Sequence, residues 1–175
     1  MPAARRLAAF AAAIDRLTAA VGRAVTWCLL AMVLVQVTVV LMRYVLGLGS
    51  IWLSEAVIYA HATLFMAAAA WVLQRGGHVR VDIFYADAAP RTRAIVDLAG
   101  ALLLLLPFVG VLAWVSLPYV ARSWAILERS REASGLPLVF LLKTLIPLFA
   151  LLLALQGLAQ AARAWLVLGA APSDP

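Results

Sequence analysis

Few residues in this 175-residue chain carry groups able to do chemistry, and their placement narrows what that chemistry could be. His61 stands within a long uncharged stretch and His78 outside it, so the two intramembrane imidazoles that axial haem ligation needs are missing. A lone His61 without an acidic relay reads as a packed polar side chain rather than a proton carrier. Glu55 follows Arg43 across a short connection, and the pair reads as an ion pair or water-facing cap at one edge of the chain's apolar stretches. Gln36, Gln156 and Gln160 fall inside apolar runs, where an amide joins one helix to another by hydrogen bonding. Cys28 is the only cysteine, which excludes an internal disulfide and any cysteine-based metal signature. No glycine-rich phosphate loop, clustered metal ligands or nucleophile turn occurs. The expectation is a chain that is not an enzyme and holds no cofactor of its own.

The most distinctive polar segment is Gly76-Gly77-His78-Val79-Arg80-Val81-Asp82. Two glycines can end a helix, and Arg80 with Asp82 can fix the loop that follows against headgroups or protein. Gly77, His78, Arg80 and Asp82 are therefore candidates for a structural or docking motif.

The elements that position these residues follow from composition. Hydrophobic residues make up 66% and charged ones 13%, with a mean hydropathy of +1.03. A soluble domain carries about 45–50% apolar and about 25% charged residues, so the bilayer must be the solvent. Four charge-free runs, 24–42, 56–74, 98–121 and 144–162, each match the ~17–25 residues a helix needs to cross ~30 Å of hydrocarbon. Strands are disfavoured because the runs lack the alternation of a barrel wall. The expected fold is all-α, with membrane spans over about 24–45, 52–74, 97–121 and 140–163 in a four-helix domain over 24–165, and a short tail over 166–175. In the second span Ala56, Ala60, Thr63, Ala67 and Ala70 form a small-residue stripe suited to close helix approach. Pro107, Pro118 and Pro147 are expected to bend their helices.

Leu7, Phe10, Ile14, Leu17 and Val21 recur at helical spacing opposite Arg5, Asp15, Arg16 and Arg23. Residues 1–23 thus read as an amphipathic helix lying along the membrane surface. A cleaved leader is disfavoured, because Asp15 and Arg16 break the apolar run before a processing site. Basic residues near the spans number nine on the side of the termini and middle loop against five on the other, which favours cytoplasmic termini. Scattered at span ends, they point to membrane anchoring and away from nucleic acid. Trp27, Trp52, Trp71, Trp124 and Trp165 fall at span edges, while Trp114 lies deeper and is expected to pack.

Taken together, these residues resemble the small permease (Q) subunit of TRAP transporters, the tripartite ATP-independent periplasmic carriers. Arg43-Tyr44-Val45-Leu46-Gly47 with Trp52 and Glu55 looks like the family's first outer loop, and Gly77-His78-Val79-Arg80-Val81-Asp82 looks like its cytoplasmic signature. Pro90-Arg91-x-Arg93 before the third span, and Ser134-Gly135-Leu136-Pro137 with Lys143, Ile146, Pro147 and Gln156, continue the match over roughly residues 24–163.

The resemblance implies a scaffold subunit in the bacterial inner membrane. A large multi-span permease (M) subunit would carry an organic anion such as a carboxylate with sodium ions, delivered by a periplasmic substrate-binding protein. Arg129 and Arg131, in the loop 122–143, are then candidates to touch that binding protein, since rim charges govern encounter. The competing reading is a self-sufficient homodimeric carrier, which would need a carboxylate buried within a span; no acid lies in the core of any of the four.

Overall fold

The computed structural model describes residues 2–78, 85 and 87–169. Arg80 and Asp82, the charged half of the expected docking motif, lie outside these residues, as does most of the expected tail. The described chain is helical. It comprises α1 (Pro2–Val45), α2 (Ile51–Gln74), α3 (Pro90–Ala99), α4 (Leu106–Ala125) and α5 (Val139–Gly169), with a π-helical segment (Gly100–Leu105) joining α3 to α4 in one rod. Four helices are thus long and apolar enough to cross a membrane, as the charge-free runs predict.

Helix ends follow local chemistry. Gly47 (φ 67°) and Gly76 (φ 65°) take the left-handed conformation just past α1 and α2, and the Leu48 and Gly77 N–H groups reach back to the Met42 and Val72 carbonyls, both at 2.9 Å. Ser50 caps α2 by accepting from the Leu53 N–H. Leu127 (φ 45°) closes α4 in the same way without being glycine, with Glu128 N bonding the Ser123 carbonyl at 3.0 Å.

No break in the helix marks the expected change from a surface helix over 1–23 to a first span at 24. α1 is one unbroken helix of 44 residues, about 66 Å at 1.5 Å per residue. After Pro2 no proline interrupts it, and its one glycine, Gly22, is taken up by packing: a Cβ there would lie 2.5 Å from Trp71 Cγ. Of the apolar stripe read as membrane-facing, Ile14 is buried against α5 with Ala11, while Phe10 and Leu17 remain exposed.

α5 is the hub, touching every other helix. Its buried face is built largely from small residues, among them Ala150, Gly157, Ala159 and Ala162, which let neighbouring backbones approach closely. The main core joins Ala67 and Ala70 of the predicted α2 stripe to Val109, Ala150, Leu152 and Leu153. Large apolar side chains point outward instead, including Leu103, Leu104 and Trp114, each more than 70% exposed. Trp114 therefore faces outward and does not pack in the interior as expected. Helix α4 continues through Pro118 and α5 through Pro147. Pro107 follows a widened turn: it offers no N–H and its ring crowds the carbonyl four residues earlier, and just before it the Leu106 N–H bonds the Ala101 carbonyl in the wide π register.

Candidate functional site

Polar contacts gather at the two ends of the bundle. At the end where α1 begins and α5 finishes, Asp15 Oδ2 accepts from Arg163 Nη1 at 2.7 Å and Asp15 Oδ1 from Gln156 Nε2 at 3.0 Å. Gln156 is fully buried. Its Oε1 lies 3.0 Å from Thr18 Oγ1, whose single proton is shared in choice with the Ile14 carbonyl at 3.1 Å. Gln74 Nε2 donates to the Asp15 carbonyl at 3.2 Å and Gln160 Nε2 to that of Leu73 at 3.5 Å, so α1, α2 and α5 are tied together. The amides at Gln156 and Gln160 join helices as the sequence suggests. Asp15 and Arg163 are 28% and 39% exposed, a partly wetted pair whose value is mainly in orienting Gln156.

At the opposite end Glu55, in the second turn of α2, turns its carboxylate onto the loop between α4 and α5. Oε2 accepts the Leu136 N–H at 2.6 Å and Oε1 accepts the Ser130 hydroxyl. Gly135 leaves room for this clamp: a Cβ there would lie 2.8 Å from Glu55 Oε1 and 2.5 Å from Ser130 Cβ. The expected Arg43–Glu55 ion pair is absent; Arg43 is exposed, and the two ion pairs among the described residues are Asp15–Arg163 and Glu128–Lys143. A backbone N–H aimed at the carboxylate holds it more closely than a mobile arginine at a wetted edge does. Lys143 also sits 4.1 Å above the Tyr119 ring, and its hydrogen bond to Glu128 holds that partly exposed carboxyl below its ordinary range. Trp124 Nε1 donates to Thr144 Oγ1 at 2.9 Å, closing the same corner.

The remaining candidates border the two clusters. Gly77 follows the end of α2 and His78 is exposed beside an open cleft of about 920 Å³ between α2, α3 and α5, which Arg93, Asp97 and Gln160 also line. Arg129 and Arg131 are exposed on the α4–α5 loop. Among the described residues no three of His, Cys, Asp and Glu converge where they could hold a metal ion. Sequence reasoning missed Asp15 and Arg163 as partners, and Ser130 as a ligand of Glu55; only the proximity of Glu55 and Leu136 to recognisable segments hinted at the second.

Two segments quoted for the resemblance, that of Glu55 and that of Ser134 to Pro137, thus meet in space. A family model described as "Tripartite ATP-independent periplasmic transporters, DctQ component" matches residues 32–167. The chain belongs to the DctQ family. No curated protein and no solved structure matches the chain. The DctQ match takes in Glu55, Leu136, Gln156 and Arg163 but begins within α1, beyond Asp15 and Thr18. The amino-terminal half of α1 lies outside the matched range, and the network at this end fastens it to helices within that range.

Proposed function

We propose that this DctQ-family chain is the static membrane scaffold of its transporter: it supports a large permease subunit that takes up an organic anion with sodium ions, supplied by a periplasmic binding protein. The observation that carries this reading is the confinement of charge. Asp15–Arg163, Glu55 and Glu128–Lys143 all lie at the two ends of the bundle and are spent on internal contacts, while the core between them is Ala67, Ala70, Val109, Ala150 and Leu153. A carrier needs ionisable or coordinating groups along a path through the membrane, and intramembrane charges are retained where they serve one. An interior of small apolar side chains suits a subunit that braces another. The basic balance near the spans supports placement in the inner membrane with both termini cytoplasmic. Exposed Arg129 and Arg131 would then face the periplasm, positioned to meet the binding protein.

The test is reconstitution. Proteoliposomes holding this chain alone are expected to take up no carboxylate under a sodium gradient, and those holding it with the large subunit and binding protein to do so. Uptake by the isolated chain would establish the homodimeric carrier instead. In the full system, Arg129→Glu with Arg131→Glu is expected to slow uptake at limiting binding protein and to leave it unchanged at saturation.

A further inference from the structure

Gln36 and His61 occupy a position that lipid alone does not satisfy. Gln36 lies nine residues before the end of α1 and His61 ten residues after the start of α2, which places both about 14–15 Å from the connection between these helices, near the middle of ~30 Å of hydrocarbon. Both are exposed. Neither has a hydrogen-bond partner among the described residues, and His61 has only the Phe65 ring stacked at 6.4 Å.

Several other polar side chains along the spans find partners, although the Tyr59 hydroxyl, the Trp71 indole N–H and the Ser123 hydroxyl are buried without one among the described residues. Exposed Thr38 bonds its own helix at the Leu34 carbonyl (2.9 Å), and Thr63 does so at Tyr59 (2.8 Å). Gln156 and Gln160 find partners on neighbouring helices. An outward amide and imidazole in hydrocarbon keep unmet donors and acceptors, a costly state that is avoided by facing protein or water. Around them the surface is apolar and suited to helix packing: Leu29, Val33 and Val40 flank Gln36 on α1, and Ile58 and Phe65 flank His61 on α2.

We infer that the outer face of the α1–α2 pair, centred on Gln36 and His61, is the surface that docks the large permease subunit, through a transmembrane helix bearing hydroxyl, amide or carboxylate groups at mid-bilayer depth. The inference rests on the scaffold reading above. The outer face of the α3–α4 rod around Leu103, Leu104 and Phe108 is apolar, with the indole N–H of Trp114 as a lone donor, and is left to lipid.

The experiment uses the full chain co-expressed with the large subunit, with a photo-reactive amino acid in place of Phe65 or of Leu104. Cross-linking to the large subunit is expected from position 65 and not from position 104. In detergent, His61→Leu combined with Gln36→Leu is expected to lower recovery of the large subunit on the order of five- to tenfold, as the loss of two interhelical hydrogen bonds in a membrane implies, and His61→Asn to retain part of it. If the unmodified chain recovers the large subunit but position 65 labels only lipid or a second copy of the chain, or if the double variant recovers it as well as the original, the docking face is refuted while the scaffold function stands. Failure of the unmodified chain to recover the large subunit would overturn the scaffold function and this inference with it.

Discussion

At the end of the bundle that holds the start of α1 and the finish of α5, Asp15, Gln156, Arg163, Gln74 and Thr18 all stand on helices, and their bonds run from helix to helix. At the other end Glu55 leaves its helix to grasp the backbone of a loop at Leu136 and the hydroxyl of Ser130. The first arrangement sets how three rigid rods lie against one another. The second sets the shape of a connection that has no helical bonding of its own. Polar groups of similar strength should therefore matter in different ways: loss at the helical end loosens the bundle, and loss at the loop end frees a surface segment while the bundle stays folded.

The largest effect should come from Gly22→Leu, which drives a side chain into Trp71 and separates α1 from α2. Overpacking of this kind costs about 1–3 kcal/mol or more, and recovery of monodisperse protein in detergent should fall sharply. Gln156→Leu, which strips fully buried partners from Thr18 and Asp15, should destabilise by about 1–3 kcal/mol and lower the thermal midpoint. Glu55→Ala and Gly135→Ala should leave that midpoint nearly unchanged yet speed proteolysis between Arg129 and Arg131; a midpoint lowered as far as by Gln156→Leu would erase the distinction between the ends. Smaller still is pH. Lys143 holds the folded-state pKa of Glu128 below its ordinary 4.5, so this contact contributes fully above 4.5 and is lost as pH falls through the lower folded value. Loop protection from proteolysis should accordingly be flat from neutral pH down to 4.5 and decline only in stronger acid.

The same contrast explains what could be read from sequence. Spans announce themselves through uncharged length, and α2 (Ile51–Gln74) contains the charge-free run 56–74. The long α1 was hidden because Asp15, Arg16 and Arg23 look like a surface, whereas helix continuity depends on the absence of breakers, and Asp15 is drawn inward by Gln156 and Arg163 from far along the chain. Glu55 was matched to Arg43 because charges near in sequence suggest each other. Its true partner at Leu136 is a backbone N–H, a donor every residue but proline has, so nothing in residue type could mark it. Gln36 and Gln156 look alike in sequence, each a glutamine in an apolar run, and only the packing shows that one faces inward and the other out.

The wide turn at Gly100–Leu105 also governs the phase of the rod that contains it. Buried positions along the rod include Ala94, Ala101, Val109, Ser116 and Ser123, a seven-residue rhythm stretched to eight where the π segment intervenes. The segment thus absorbs one surplus residue and keeps both halves of the rod turned toward α5. Removing that one residue would let the segment close into ordinary α-helix with both halves still in phase, whereas closing it with every residue kept would swing everything beyond Leu105 by about 100°, presenting Phe108 and Trp114 in new directions and carrying Val109 away from its seat.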